Sequence, residues 1–341
     1  MRSVLVRVVG GLEWLAAEEV AAAGHRVVEV TKRQLIVEPS SGIVEQPPRV
    51  ADDLFEVYGA APDPGRARAG LAEAVRAAVK SAPIDRRAFA VSASFVGPRN
   101  FNRYDAEDLV GERLERLTAG RYHSRRSGVA PPDERAEWRV VLDGKTMRVA
   151  RRPYAVPLHR RPWREHTVLG SLHPPVGAAM ARLAGLTSGH HVLDPFCGAG
   201  TLLLEAQRLE PRATYHGVDK NPAAIAAARA NTTQLQATRT PSITWRRGNA
   251  RELTAAADRI ITNPPWDHRL TIGDLTPYLR RWQRTLAPDG LLVAVLHPHQ
   301  VAQLDRHWTI RAQHPISLAG QHPQIVVAEC RIRRVSFVAG V

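Results

Sequence analysis

Cysteine is nearly absent from this chain of 341 residues: only Cys197 and Cys330 occur, at no paired spacing. That argues against a disulfide framework and a zinc knuckle, and it fits a reducing cytoplasm. Lysine is almost as scarce. Lys32, Lys80, Lys145 and Lys220 are the full set, so arginine carries nearly all the positive charge. No apolar run approaches the ~18–20 residues that a membrane span requires, and the longest, such as Leu291 to Leu296, read as buried strands. Arg2 and Arg7 interrupt the first apolar stretch, which leaves no room for a signal-peptide core. Hydrophobic residues still make up 44%, enough for packed cores and too many for a disordered chain. Domains typically run ~100–200 residues, so two are expected.

Base exceeds acid by a net charge of +14, and the excess is uneven. Residues 1–120 sum to −1, residues 121–164 to +8 and residues 165–341 to +7. A basic segment of that density suits a polyanion such as nucleic acid. A solvated arginine-rich face is the plainer alternative.

Hydrophobic patterning divides the chain. Val4 to Val9 alternates as a strand, Gly10-Gly11 breaks it, and Leu12 to Ala23 reads as a helix. Arg26 to Val30 and Gln34 to Val37 read as a strand pair, Leu71 to Val79 as a helix and Ala88 to Phe95 as a strand. Asp105 to Leu117 is an amphipathic helix with acids in its first turn. Trp138 to Leu142 and Thr146 to Ala150 flank Asp143-Gly144-Lys145 as a hairpin. Residues 1–152 are thus expected to form a smaller α/β domain, and the proline-dotted residues 153–175 a linker. Over residues 176–341, strands expected at His191 to Leu193, Thr214 to Val218, Ile243 to Arg246, Arg259 to Thr262 and Leu291 to Leu296 alternate with helices. This is the rhythm of a Rossmann-like, doubly wound parallel sheet. Trp308 to Leu318 and Gln324 to Arg331 are separated by too few residues for a crossover helix, so the last pair is expected to be antiparallel.

Two spaced motifs define a candidate cofactor site. Asp194-Pro195-Phe196-Cys197-Gly198-Ala199-Gly200-Thr201 runs from a strand through a glycine turn into a helix. Gly198 and Gly200 permit a tight turn, and the helix N-terminus offers N–H groups to a carboxylate. A nicotinamide site would prefer a third glycine where Leu203 stands. Asp194 is a poor neighbour for a pyrophosphate but a good one for an ammonium group. Asp219 follows Gly198 by 21 positions at the end of the next strand, the spacing of an acid that accepts from both ribose hydroxyls. Lys220 follows it, and Asn221-Pro222 opens the next helix. Asn249 and Ala250, after the third strand, are placed to hold an adenine. The group that fits all of these is S-adenosylmethionine.

The fourth strand ends Asn263-Pro264-Pro265-Trp266. Prolines stop sheet pairing and stiffen the backbone, which aims Asn263 and the Pro264 carbonyl. An exocyclic amino group has two N–H donors, and these two oxygens can accept both. The nitrogen lone pair is then localised for in-line attack on a sulfonium methyl, with Trp266 as a stacking face. Positioning and electrostatics carry such a reaction without a strong base.

Taken in this order, the glycine turn, Asp219 and the Asn-Pro-Pro-Trp tetrad resemble the amino-directed class I methyltransferases. The nearest resemblance is to the tRNA guanine-N2 methyltransferases that carry an N-terminal THUMP domain. Gly97 to Tyr104 resembles the THUMP core, Leu158 to Arg164 the linker, and Leu172-His173-Pro174-Pro175 the entry to the catalytic domain. Pro162-Trp163 stands where the linker usually reads Gly-Tyr, and Asn249 where many such enzymes have Asp. The resemblance implies a cytoplasmic, monomeric enzyme that takes S-adenosylmethionine and methylates guanine in or near the tRNA acceptor stem. It implies a ferredoxin-like plus THUMP domain before the catalytic one. Asn100, Arg103, Arg125, Arg126, Arg151, Arg152, Arg160, Arg161 and Arg164 are the expected RNA contacts.

Other readings of the same residues exist. Fourteen histidines invite a metal, yet His190 and His191 point oppositely on a strand. His297 and His299 have no carboxylate or cysteine at ligand spacing, so no metal is expected. Cys197 has no acid–His partner and reads as a small turn residue. The tetrad also serves ribosomal RNA guanine, DNA adenine and protein glutamine methylation. An RNA-binding scaffold with an inactive methyltransferase domain would keep the fold without the chemistry.

Overall fold

A computed structural model describes residues 2–235, 243–254, 256–265, 272–304, 307–318 and 320–331. Two compact units divide the chain: Met1–Val8 with Ala16–Leu158, and Val9–Leu15 with His159–Val341. The boundary therefore falls at Leu158, inside the stretch read from the sequence as a linker.

The first unit contains β1 Val4–Val8, α1 Glu13–Ala22 (whose start belongs to the second unit), β2 Arg26–Thr31, β3 Gln34–Glu38 and β4 Ala51–Pro62. It continues with α2 Leu71–Ala78, β5 Phe89–Phe95, α3 Arg103–Thr118, β6 Ala136–Leu142 and β7 Thr146–Arg151. One sheet runs β2-β3-β1-β4-β7-β6-β5. Its pairs are antiparallel except β5 with β6. Leu71, Val75, Val110, Leu114, Trp138 and Met147 close a core between the sheet and α2 and α3.

The strand β4 is central and carries no sequence signal for that place. Asp52, Asp53 and Glu56 interrupt its apolar residues. Asp53 tolerates burial because Arg152 donates to it at 2.6 Å from Nη2, with 11% and 8% of the two side chains exposed. Gly59 is required for a different reason: a Cβ there would stand 1.7 Å from the Ala78 carbonyl oxygen. The turn before α3 is organised by charge. Arg99 is buried against Asp63 at 2.5 Å, and Asn102 and Asp105 form a reciprocal capping box.

The second unit holds α4 Pro174–Leu183, β8 His191–Asp194, α5 Thr201–Leu209, β9 Thr214–Asp219, α6 Pro222–Leu235, β10 Thr244–Arg247 and β11 Ala257–Thr262. It closes with α7 Thr276–Thr285, β12 Leu286–Leu296, α8 Pro298–Val301, β13 Trp308–Pro315 and β14 Gln324–Cys330. The sheet order is β10-β9-β8-β11-β12-β14-β13. Five strands are parallel, and β14 pairs antiparallel with β12 and β13, as the short last connection requires. Strands β8, β9, β10 and β11 end together along one edge, where a doubly wound sheet binds ligands.

Arg161 fastens the start of this unit to α5. Its Nε donates to Glu205 at 2.8 Å, with 4% and 1% of the side chains exposed. A buried pair of this kind contributes little against an apolar alternative but is costly to break on one side. The same logic applies to the first unit. Arg152→Ala strands the Asp53 carboxylate in the core and is expected to cost about 3–5 kcal/mol. Urea unfolding should show the lowered midpoint; an unchanged midpoint would contradict a buried pair there.

Candidate active site

The cofactor turn is shaped by an indole beneath it. Trp245 on β10 is buried and donates from Nε1 to Thr232 Oγ1 at 2.9 Å. A Cβ on Gly200 would stand 2.8 Å from its ring, and a Cβ on Gly217 2.3 Å. Gly200 also has φ +85° and Gly198 φ +50°, so both turn glycines sit where L side chains are strained. The sequence marked the glycines. The indole that requires two of the glycines close to this site lies 45 residues downstream of Gly200 and carried no signal of its own.

Two carboxylates set the electrostatics. Asp194 ends the central strand β8 and accepts from Phe196 N at 3.0 Å and from Thr262 Oγ1 at 2.8 Å. Burial pushes its pKa up to about 7, against those two hydrogen bonds, which lower it. Asp219 accepts from Gly198 N at 3.0 Å and from Asn221 N at 2.8 Å, which locks the first turn to the second strand. Cys197 is buried, and burial pushes its thiol well above the usual range, so it is held in the inert form.

These groups line a cavity of about 650 Å³, within the ~300–1,000 Å³ that small-molecule sites occupy. Asp194, Pro195, Phe196, Cys197, Gly198 and Thr201 face it, and so do Asp219, Lys220, Asn249 and Ala250. Of the residues expected to bind the cofactor, Gly200 does not line the cavity; it shapes the turn from behind. Asn249 faces the cavity, but its oxygen accepts from Arg251 N at 3.0 Å and its amide donates to Glu252 at 3.2 Å. Its side chain therefore serves first to hold its own turn. Tyr278 on α7, which the sequence reading missed, packs against Phe196 at 5.3 Å between ring centroids and completes one wall.

Asn263, Pro264 and Pro265 line the same cavity, and Trp266 lies outside the described residues. The loop is pinned from two sides. Thr262 ties its start to Asp194. Gln300, buried on α8, donates to the Pro265 carbonyl at 3.0 Å while its own oxygen accepts from His297 N at 3.1 Å. Above the cavity, Val168 to Leu172 form a strap, and Asn263 Nδ2 lies 3.4 Å from the Gly170 carbonyl. Asn231 on α6 anchors that strap: fully buried, it accepts from His166 N at 3.0 Å and donates to the carbonyls of His166 and Ala199 at 2.9 and 3.0 Å. Neither amide's role on the site was legible in the sequence, because each acts there on residues more than 30 positions away.

The residues expected to touch RNA divide by burial. Arg161 is buried on Glu205, and this corrects its assignment as a phosphate contact. Arg164 donates to Thr201 Oγ1 and to the Leu172 carbonyl, both at 3.3 Å, and burial lowers its pKa; it braces the cofactor helix. In the first unit, Arg151 pairs with Asp85 and Arg152 with Asp53, both largely buried. Arg125 pairs with the buried Glu107, and Arg126 with Asp105 and Asp108 while remaining 46% exposed. Asn100, Arg103 and Arg160 are exposed.

The fold and the site together define a class I methyltransferase that uses S-adenosylmethionine. Residues 161–302 match the family described as UPF0020, RMKL-like, methyltransferase domain. The chain is 29% identical over 259 residues to the tRNA (guanine(6)-N2)-methyltransferase of Thermus thermophilus, covering 71% of this chain and 72% of that protein. It is 31% identical over 147 residues to the U6 snRNA (guanine-N(2))-methyltransferase THUMPD2 of Mus musculus, covering 41% of this chain and 28% of the relative. The crystal structure of TrmN from Thermus thermophilus shares the fold at TM-score 0.78 and 24% identity, over 97% of this chain and 100% of that one.

Two outcomes follow from the geometry. We propose that Asp194 attracts the cofactor's ammonium, which only its ionised form can do, and burial pushes its pKa up to about 7. Cofactor affinity measured by calorimetry should therefore weaken as pH falls from 8 to 6, by up to about tenfold per unit below the pKa. Asp194→Asn should bind weakly with no such slope, and a flat wild-type profile would contradict the assignment. Gln300→Ala frees the acceptor loop. Steady-state kinetics should show kcat lower by roughly 10- to 100-fold with KM for the cofactor near wild type; unchanged kcat would reject the clamp.

Proposed function

We propose that this enzyme transfers a methyl group from S-adenosylmethionine to the exocyclic N2 amino group of a guanosine in tRNA. The observation that carries the reading is the placing of Asn263 and Pro264, at the end of β11, in the same cavity as the Asp194 turn. The bound cofactor supplies an electrophilic methyl on sulfur. The chain's part is positional: the Asn263 side-chain oxygen and the Pro264 carbonyl accept the two amino N–H groups, and the nitrogen lone pair is directed at the methyl. The alkylated nitrogen then sheds a proton to solvent, so no strong base is required.

The choice of substrate is supported by the relatives, whose names state guanine-N2 methylation of tRNA or U6 snRNA. It is supported also by the net charge of +14. In this reading the first unit is a THUMP-type RNA-binding domain, and Asn100, Arg103, Arg126 and Arg160 are the members of the expected set with exposed side chains. No helix among the described residues is long and apolar enough to cross a membrane, and we place the monomeric enzyme in the cytoplasm. A second reading, another structured RNA as acceptor, is favoured by the relative that acts on U6 snRNA.

Mass-spectrometric nucleoside analysis of tRNA from a deletion strain is expected to show loss of N2-methylguanosine from at least one tRNA. Full retention of that nucleoside, with loss of another mark, would refute the guanine assignment. In vitro, Asn263→Ala should lower kcat by about 100-fold or more while cofactor affinity stays near wild type. Undiminished turnover would reject the role given to Asn263.

A further inference from the structure

Beside the cofactor cavity lies a second, more open pocket of about 410 Å³, lined by Lys220, Arg247, Gly248, Asn249, Arg251 and Tyr278. It shares Lys220, Gly248, Asn249 and Tyr278 with the cofactor cavity. Three of its six lining residues are cations and none is an acid. The Arg246 guanidinium lies beside Gly248 as well, 3.8 Å from where a Cβ would stand.

The cofactor does not account for this charge. S-adenosylmethionine carries a sulfonium and an ammonium against a single carboxylate, so it is itself a net cation. Three further cations at its rim oppose its binding unless an anion joins them. The acids on the flanking segments are already engaged: Asp219 accepts from Gly198 N and Asn221 N, Glu252 from Asn249 Nδ2, and Asp274 from Thr276 N at 2.9 Å. Asp274 also feels the charges of Arg280 and Arg251, which help hold its carboxyl below the ordinary range.

Local structure holds the cations in place. Gly248 N donates to the Asp219 carbonyl at 3.0 Å, which fixes the end of β10 beside β9. Arg251 N donates to Asn249 Oδ1, and the Arg251 guanidinium stacks over the Tyr278 ring at 4.7 Å. A stacked guanidinium keeps its in-plane N–H fork for an oxyanion, the arrangement that suits bidentate phosphate contact.

We propose that Lys220, Arg247 and Arg251 form a phosphate-binding pocket for the backbone of the RNA substrate, at the adenosine end of the cofactor cavity. It is separate from the basic segment at residues 121–164. The inference rests on the proposed RNA substrate. It adds that the catalytic unit grips the RNA itself. An anion seated there also offsets the cofactor's positive charge, which couples the two bindings favourably.

The test uses the full chain and a fluorescent tRNA transcript that the wild type methylates. Anisotropy is measured across a salt series for wild type and for Arg247→Gln/Arg251→Gln, and cofactor affinity is measured by calorimetry without RNA. The double variant should lose about two from the slope of log affinity against log salt, with Kd raised at least roughly tenfold at physiological salt. Its cofactor affinity without RNA should equal wild type or be modestly tighter, because two opposing cations are gone, and this also reports an intact fold. An unchanged slope and Kd would overturn the pocket while leaving the proposed reaction standing. A fall in cofactor affinity as large as the fall in RNA affinity would assign these cations to the cofactor and overturn it equally. Failure of the wild type to methylate any tRNA would instead sink the substrate reading on which the pocket depends.

Discussion

The site depends on one hydrogen bond at the centre of the catalytic sheet, from Thr262 Oγ1 to Asp194 Oδ1 at 2.8 Å. Asp194 is the last residue of β8 and leads into the cofactor turn. Thr262 is the last residue of β11 and leads into Asn263. The glycine turn and the Asn-Pro-Pro loop, the two halves of the proposed group-transfer site, are thus tied by a buried contact between adjacent parallel strands. Both residues are almost fully buried, so the bond has little competition from water. The carboxylate is costly to ionise there, and its two donors recover only part of that cost. In the proposed site the cofactor's ammonium supplies the rest, which makes ligand binding and the charge state of Asp194 one equilibrium.

Around this contact the structure spends buried amides rather than charges. Gln300 fixes the Pro265 carbonyl and Asn231 fixes the strap over the cavity, each satisfying a donor and an acceptor at once. A neutral amide can do this in an apolar setting without the desolvation cost of an ion. The charged pairs lie elsewhere: Arg161 with Glu205 at the start of the second unit, and Arg152 with Asp53 and Arg99 with Asp63 in the first. Arginine in this chain is thus as much an internal fastener as a surface charge.

That division explains what the sequence could and could not reveal. The parallel sheet, its antiparallel end and the ligand-facing turns were legible, because each depends on residues close together in the chain. Glycine turns and an Asn-Pro-Pro run announce local backbone needs. The strand β4 was not legible, since Asp52, Asp53 and Glu56 break its pattern and it is Arg152, 99 positions on, that neutralises Asp53. Trp245, Asn231 and Gln300 were missed for the same reason: their partners are distant in sequence. Net charge pointed to a polyanion but not to which arginines face it. Counting charge along the chain could not see that Arg151, Arg152 and Arg161 are turned inward.

Thr262→Val tests the joining of the half-sites most directly, since it removes the donated hydrogen bond and keeps the shape. Cofactor affinity by calorimetry and kcat from steady-state methylation should both fall at neutral pH. The affinity loss should diminish as pH rises, because Asp194 ionises less readily without its donor. Weakened cofactor binding with kcat intact, or the reverse, would show that the two half-sites are set independently and would contradict the account.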